Sequence, residues 1–226
     1  GFPLELTLEV AQEHGMTVNE AGFKAAMAHQ RQQSKTKHGL ADEREDELWT
    51  HLTATLPPTR FTGYTTTQGT SRVAASVAES QPQEMIAAPQ TALPPLEPTG
   101  MPLMAVILAE TPFYAESGGQ VGDQGSLHSP TGTFQVVDTQ RPAGGLIVHW
   151  GQMTEGYLKI GSAVQAQVDE PRRDATRRNH SATHLLHRAL KDLLGESVVQ
   201  QGSLVEPHRL RFDFNHQRPL TPAEVE

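Results

Sequence analysis

The sequence predicts an α+β protein built from three consecutive parts. Capping residues and helical periodicity mark the beginning of the chain, and short apolar runs separated by glycines fill the middle. One long patterned helix followed by two strands occupies the end. We therefore divide the 226 residues into N-terminal helices at 1–52, a small β-barrel at 53–168, and a truncated α/β domain at 169–226 in which a long helix packs on a sheet.

Composition narrows the class of protein. The chain has 26 acidic and 18 basic residues, a net charge of -8 and no cysteine. The negative charge argues against a generally basic nucleic-acid binder, so any RNA contact must rest on a local patch. Without cysteine the chain forms neither a disulfide nor a complete cysteine-based zinc site. No apolar run reaches membrane-spanning length and no secretory leader is present, so we expect a soluble, cytoplasmic protein without membrane contacts.

The first part reads as two helices. Thr7 is a suitable N-cap for a short helix that ends at Gly15. Asn19 can cap a second helix, from Glu20 to about Lys37. These helices carry few large apolar residues, so we interpret them as the end of a larger helical domain.

The middle part predicts a series of short strands. The run at 104–109 is continuously apolar between two prolines, which favours a buried strand. Residues 81–100 contain five prolines and predict turns or extended edges. Further strand candidates lie at 59–64, 134–138, 146–150 and 163–168. Because glycine-bearing turns separate the strands, we expect a small barrel or sandwich.

The third part begins with a long helix after Asp169. Pro171 suits the first turn, and Gly195 follows the last periodic residue. Two strands are predicted at 198–205 and 209–214, and a capping box starts a further helix at Thr221, so we expect this domain to continue in a longer protein. The helix also carries a continuous apolar stripe, formed by Leu185, Leu186, Ala189, Leu190, Leu193 and Leu194.

Three histidines, His180, His184 and His187, lie close together in this helix. Spacings of four and three place their imidazoles on one narrow face, because a helix turns about 100° per residue. Neutral imidazoles at positions i and i+4 can converge on one metal ion. The alternative is that they are exposed polar residues on the hydrated side of an amphipathic helix.

The histidine face does not complete a metal site by itself. A zinc protease has a glutamate directly after the first histidine, and Ser181 at that position excludes this class. Ligands from one helix do not close a tetrahedral site, and the other histidines show no matching pair. We therefore expect at least one further ligand from elsewhere.

Two other features could bind a ligand. Four arginines (Arg172, Arg173, Arg177 and Arg178) stand just before the histidines, where they could hold phosphates or pair with Glu170 and Asp174. A glycine-rich stretch at 111–125 would let the backbone approach a ligand closely, or it is a plain barrel corner. Composition does not separate these alternatives.

The order of these motifs resembles the alanyl-tRNA synthetase family. The resemblance rests on Arg177-Arg-Asn-His-Ser-Ala-Thr-His-Leu-Leu-His187, on residues 200–205 and 209–214, and on Tyr114-Ala-Glu-Ser-Gly-Gly-Gln-Val-Gly-Asp123. Residues 1–7 and 19–23 are similar to the end of that family's aminoacylation half. The resemblance spans nearly the whole chain and implies that 169–226 is the first part of an editing domain.

The resemblance also implies roles for individual residues. His180 and His184 match the first two zinc ligands, whose partners, a cysteine and a histidine, would lie beyond Glu226, and His187 is not expected to be a ligand. Gln200 and Thr183 would act in the hydrolytic site, and the acceptor end of tRNA would meet Arg172, Arg173, Arg177 and Arg178. The substrate loop would comprise Glu116, Ser117, Gly118, Gly119 and Gln120.

The function implied for the parent enzyme is to join alanine to its tRNA with ATP, which this region would not bind. This region would help hydrolyse tRNA that wrongly carries serine or glycine, and DNA is not an expected partner. Two alternatives stay open: a free-standing deacylase of the same superfamily or the related domain of threonyl-tRNA synthetase, and an RNA-binding module without catalysis. The oligomeric state does not follow from the sequence.

Overall fold

The computed structural model describes residues 40–78, 81–88, 104–142, 145–216 and 218–225, with side chains from Glu47 onward. The chain divides into two compact units, residues 1–46 and 47–226. The second unit is described below. The two helices predicted between Thr7 and Lys37 lie outside the described residues.

The described helices are α1 (Leu40–Thr55), α2 (Glu170–Leu194) and the short α3 (Pro222–Val225). None of them is long and apolar enough to cross a membrane. The strands are β1 (Arg60–Phe61), β2 (Gln68–Ala78), β3 (Gln81–Gln83), β4 (Met85–Ala87), β5 (Met104–Leu108), β6 (Glu110–Thr111), β7 (Gly125–Ser129), β8 (Gly132–Gln140), β9 (Val148–Lys159), β10 (Ala163–Val168), β11 (Gln200–Val205) and β12 (Leu210–Phe214).

Six strands close into a barrel in the order β2, β5, β9, β8, β7, β10 and back to β2, and every neighbouring pair is antiparallel. The short strands β3 and β4 add to β2 and β9, while β1 and β6 form a separate parallel pair. Closure leaves no open edge among the six strands. The α+β class, with a small barrel followed by a helix packed on a sheet, is thereby confirmed.

The barrel encloses an apolar core because alternate residues of each strand point inward. Phe134, Val136 and Met153 are fully buried there, and Phe113 packs with them. Strand β5 is apolar throughout since its other face is also covered: Ala105 and Ile107 pack against α1. The buried strand predicted at 104–109 is confirmed.

Helix α1 packs on the outside of the barrel. Leu48, Trp49 and Leu52 lie on one face of the helix and are buried, and Trp49 meets Trp150 edge to face at 5.7 Å between ring centroids. A bulge at Ala74 in β2 shifts the register. Residues on its two sides therefore face different cores, as Val73 faces the barrel interior and Val77 faces the helix.

The predicted strand at 59–64 is shorter than expected. Only Arg60 and Phe61 form a strand, and the chain then turns through Gly63 and Tyr64. A Cβ on Gly63 would lie 2.2 Å from the carbonyl oxygen of Pro112. This close approach leaves no room for a side chain, so the position requires glycine.

Helix α2 follows the barrel after a single residue. Asp169 caps it, since its carboxylate accepts a hydrogen bond from the backbone N–H of Arg172 at 3.0 Å. Strands β11 and β12 form an antiparallel ribbon against the helix, and Asn179 Nδ2 donates to the carbonyl of Glu206 at the ribbon's turn, 2.7 Å away. The predicted helix and both predicted strands are present.

The buried face of α2 is not the leucine stripe. The buried residues recur every three or seven positions and are Arg173, Thr176, Thr183 and Leu190. Leu185 and Leu193 are 72% and 64% exposed instead. A ribbon of only two strands covers one side of the helix. Among the residues that the structure describes, most of the apolar stripe is therefore in contact with solvent.

Candidate functional site

The imidazoles of His180 and His184 converge. Their Nε2 atoms are 3.1 Å apart and their ring centroids 4.9 Å apart. His180 is half-buried and His184 is exposed, so the pair lies at the surface of α2. Two nitrogen ligands of a tetrahedral zinc ion, at about 2.0–2.1 Å from the metal, would lie roughly 3.3 Å apart. The donor set and its spacing therefore fit two ligands of a zinc site.

Gln120 of the glycine-rich loop orients His180. Its Oε1 atom lies 2.7 Å from Nδ1 of His180, and the Gln120 side chain is buried. An amide oxygen accepts, so the proton of His180 resides on Nδ1 and the lone pair of Nε2 points towards His184. This is the tautomer that a metal ligand needs, held by a hydrogen bond to its other nitrogen.

His187 is directed elsewhere. Its ring packs on Phe212 of the ribbon, with 5.0 Å between centroids, and its Nε2 atom is buried without a partner among the described residues. The sequence placed three histidines on one face, but the structure brings together only His180 and His184. Within the described part of the chain no group of three histidine or acidic side chains is arranged to hold a metal ion.

The glycine-rich loop is positioned by the ribbon. The N–H of Val205 donates to the carbonyl of Gly119 at 2.7 Å, and the N–H of Val121 donates back to Val205 at 3.2 Å. Gly119 has φ +83°, and a Cβ there would lie 2.5 Å from the carbonyl oxygen of Ser203. These contacts hold Gln120 in reach of His180.

The other residues predicted for the substrate loop lie at the same turn. Glu116, Ser117 and Gly118 are exposed, and Ser117 and Gln120 are joined by reciprocal backbone hydrogen bonds. Their exposure leaves them accessible to a ligand.

The prediction for Arg173 as a phosphate ligand needs correction. Its side chain is 6% exposed and forms an ion pair with the equally buried carboxylate of Asp123. The guanidinium also donates to the carbonyls of Gly63 and Pro112. All of these partners are protein atoms, so Arg173 joins α2 to the barrel and is not available to tRNA in this conformation.

The other three arginines predicted to contact tRNA are more accessible than Arg173. Arg177 is exposed and lies 3.6 Å from Asp174, and Arg178 is exposed with no partner among the described residues. Arg172 is half-buried, and its Nε atom is buried without a hydrogen-bond partner within the described ranges. The local basic patch therefore consists of Arg177 and Arg178.

The two residues predicted for the hydrolytic site differ in exposure. Gln200 is exposed at the start of β11. Thr183 is buried in the helix, where its hydroxyl donates to the carbonyl of Asn179 at 2.9 Å. This bond favours a packing role for Thr183.

Sequence reasoning missed two residues that build the site. Asp123 fixes the loop, since its carboxylate accepts from the N–H of Tyr114 at 2.6 Å and pairs with Arg173. Asn179 fixes the ribbon turn against the helix. Asp123 closes the glycine-rich motif, which is the signal that could have indicated it. Asn179 gave no signal beyond its place beside His180.

Comparison with known proteins identifies the family of these motifs. Residues 1–172 match the family described as tRNA synthetases class II (A). The chain is 48% identical over 225 residues to an alanine–tRNA ligase of Roseiflexus sp. (strain RS-1), covering 100% of this chain and 23% of that protein. It is 44% identical over 227 residues to that of Parvibaculum lavamentivorans, covering 100% of this chain and 24% of that protein. The chain thus spans about a quarter of the length of the curated relatives it matches.

Proposed function

This chain belongs to the alanyl-tRNA synthetases of class II, and from that premise we propose that it contributes half of a zinc-assisted hydrolytic site that removes serine or glycine from wrongly charged alanine tRNA. The whole protein would join alanine to its tRNA, as the names of the relatives suggest. We propose that it does so with ATP and in the cytoplasm. The ATP would bind outside this region.

The convergent imidazoles are the observation that carries the proposal. Two Nε2 atoms 3.1 Å apart, one of them oriented by a buried amide, are an arrangement suited to metal binding. His180 and His184 would be two ligands, and the remaining ones would come from outside the described residues. Bound zinc would polarise or position the ester or the attacking water.

A hydrolytic site would correct the limited selectivity of the synthetase for alanine over glycine and serine. An apolar pocket for alanine discriminates against one missing methyl or one added hydroxyl by only about 1–3 kcal/mol, so glycine and serine are activated at a measurable rate. Removal of the wrong product at a second site restores accuracy. The exposed Arg177 and Arg178 would hold phosphates of the acceptor end, and Gln200 would contact the bound product.

The first prediction concerns His184→Ala in the full-length protein. Loss of one imidazole should lower the zinc content measured by atomic emission to well below one ion per chain, and hydrolysis of Ser-tRNA should fall by about 100-fold or more, since the metal supplies several kcal/mol to the transition state. The matched control is His51→Ala, an exposed histidine of α1, which should change neither quantity.

The possible results separate the parts of the proposal. Unchanged zinc content in His184→Ala would exclude this residue as a ligand. Lost zinc with unchanged Ser-tRNA hydrolysis would retain the metal site and exclude a role of the metal in editing. Retained zinc with no Ser-tRNA hydrolysis by the original protein would leave the region as an RNA-binding module without catalysis.

A further inference from the structure

An aromatic cleft lies on the barrel side of the histidine pair. Its volume is ≈ 140 Å³, and its lining residues are Phe61, Gly63, Tyr64, Tyr114, Gln120, Arg173 and Arg177. Phe61 meets Tyr64 edge to face at 4.9 Å and Tyr114 at 6.2 Å between ring centroids. Tyr64 is 88% exposed although its ring contacts that of Phe61. The cleft therefore presents aromatic surface to solvent.

The cleft is built into the fold. Gly63 lies against the carbonyl of Pro112, so the turn that carries Tyr64 is pressed onto the barrel. The carbonyl of Gly63 accepts a hydrogen bond from Arg173 Nη1 at 3.1 Å, and Arg173 is anchored in turn by Asp123. The hydroxyl of Tyr114 donates to the carbonyl of Ser117 at 3.3 Å. A ligand would find these rings largely in place and would cost little ordering entropy.

The charge of the lining selects the kind of ligand. No acidic side chain among the residues that the structure describes lines the cleft, whereas Arg177 lies at its edge with 68% of its side chain exposed. Its contact with Asp174, at 3.6 Å and open to solvent, is weak and easily exchanged. Aromatic faces next to an exposed, weakly paired guanidinium fit a planar base joined to a phosphate, because every base has a face that stacks and every nucleotide carries a negative charge. A neutral apolar ligand would gain nothing from the charge of the arginine.

We propose that this cleft binds an unpaired nucleobase of the single-stranded acceptor end of tRNA, stacked on Tyr64 with its phosphate on Arg177. Gln120 lines the cleft and also holds His180, so the bound nucleotide lies next to the metal-binding pair. The inference rests on the proposed function and adds a subsite to it. Tyr64 and Arg177 are positioning residues, not catalytic ones.

The test measures binding of the 226-residue chain to a fluorescein-labelled tetraribonucleotide of sequence ACCA by fluorescence anisotropy. Tyr64→Ala should weaken binding by about 5- to 100-fold, the range for loss of one stacked base, while Tyr64→Phe should bind like the original chain. Tyr64 lies on an exposed turn, so its replacement leaves the core intact. The control Tyr157→Ala removes another exposed tyrosine that does not line the cleft, and it should have no effect.

Two further measurements separate base from phosphate. Arg177→Ala should make the slope of log affinity against log salt less negative by about 0.7, the value for one phosphate of a single strand. An oligonucleotide with abasic sites should bind the original chain as weakly as ACCA binds Tyr64→Ala. Equal affinity of Tyr64→Ala and the original chain for ACCA would overturn the proposal, and so would equal loss in Tyr157→Ala.

The test of the cleft and the test of the metal site can fail separately. His51→Ala, the control for zinc content, should also leave the affinity for ACCA unchanged, because His51 does not line the cleft. If zinc content fails to depend on His184 while ACCA binding depends on Tyr64, the metal site is wrong and the cleft stands. If zinc depends on His184 and ACCA binding ignores Tyr64, the cleft is wrong and the metal site stands.

Discussion

His149 is fully buried in the barrel with both ring nitrogens paired. Its Nδ1 lies 2.9 Å from the carbonyl oxygen of Val106, to which it donates, so Nε2 accepts from the hydroxyl of Thr111 at 2.7 Å. The Thr111 oxygen accepts in turn from the N–H of Phe113. Burial disfavours the charged ring and lowers the pKa of His149 from 6.5 to about 4. The neutral form is therefore part of the folded structure.

This histidine should make the free energy of unfolding depend on pH between about 6.5 and 4. In that window the unfolded chain binds a proton that the folded chain does not, so stability falls as the pH falls, by about 3 kcal/mol in all. Above pH 6.5 the contribution is complete and constant. In urea unfolding at pH 7.5 and 4.5, His149→Asn should show a smaller difference than the original chain.

The exposed His128 supplies the comparison for this measurement. His128→Asn should retain the full dependence on pH. An equal loss of dependence in both variants would show that the buried ring is not its source.

Single residues of the site were only partly predictable. The spacing of four between His180 and His184 was enough to place their rings together. Their partner Gln120 was not predictable as such, because it lies 60 positions earlier in the chain and meets His180 only in the fold. Arg173 looked like its exposed neighbours, although its spacing to the buried Thr176, Thr183 and Leu190 marks the packed face.

At the scale of elements, the glycine-rich loop and the ribbon are joined at Gly119. Gly118 and Gly119 both have positive φ, +60° and +83°, but only Gly119 is pressed against the ribbon. A Cβ on Gly118 meets nothing within 4 Å, whereas a Cβ on Gly119 meets the carbonyl of Ser203 at 2.5 Å. The neighbouring glycines thus differ in packing and share the strain of a left-handed backbone.

Alanine substitution should separate the two effects. Gly118→Ala should lower the free energy of unfolding by about 1 kcal/mol from backbone strain alone, and Gly119→Ala by about 3 kcal/mol because the clash also displaces the ribbon. Urea unfolding measures both. Zinc affinity in the full-length protein should fall only in Gly119→Ala, since Gln120 moves with the loop. Equal effects of the two substitutions would exclude the contact with Ser203 as the cause.

Elements were predictable where their residues were distinctive. The long helix, the run at 104–109 and the strand at 163–168 carry strong patterns, and all three are present. The 11-residue β2 was missed because it consists mostly of small and polar residues and its bulge breaks the alternation. The strand β7, Gly125–Ser129, was missed for a similar reason, as it contains one large apolar residue, Leu127.

At the scale of the unit formed by residues 47–226, the ion pair of Arg173 and Asp123 holds helix and barrel together. Both side chains are 6% exposed, and the arginine also bonds to carbonyls on two barrel loops. Removing one member leaves a buried charge without a partner. That is far more costly than losing an exposed pair.

Arg173→Met should therefore lower the free energy of unfolding by about 3–5 kcal/mol. Arg188→Met, which removes the exposed pair with Asp192 on the same helix, should leave it nearly unchanged. Urea unfolding of both variants provides the comparison. Similar small losses of unfolding free energy in both variants would contradict the structural role of Arg173 and would return it to the residues expected to contact tRNA.

The order of barrel, long helix and two-stranded ribbon along the chain was predictable from composition and motifs, but their arrangement in space was not. Helix α2 could have packed through its leucines, which dominate its apolar content. It packs through Arg173, Thr176, Thr183 and Leu190, because the loop, the ribbon and the barrel meet on that side. Long-range partners of polar residues decided the orientation, and sequence periodicity does not reveal such partners.

Only Asp169 separates the last barrel strand from helix α2, and both ends of this residue are fastened. Its N–H donates to the carbonyl of Gln124 at 2.8 Å, while its carboxylate holds the first turn of the helix. A one-residue connection held at both ends leaves little freedom for the helix to rotate relative to the barrel. The imidazoles are therefore held at a defined distance from the barrel wall, and under the proposed function the flexible end of the tRNA would have to move to reach them.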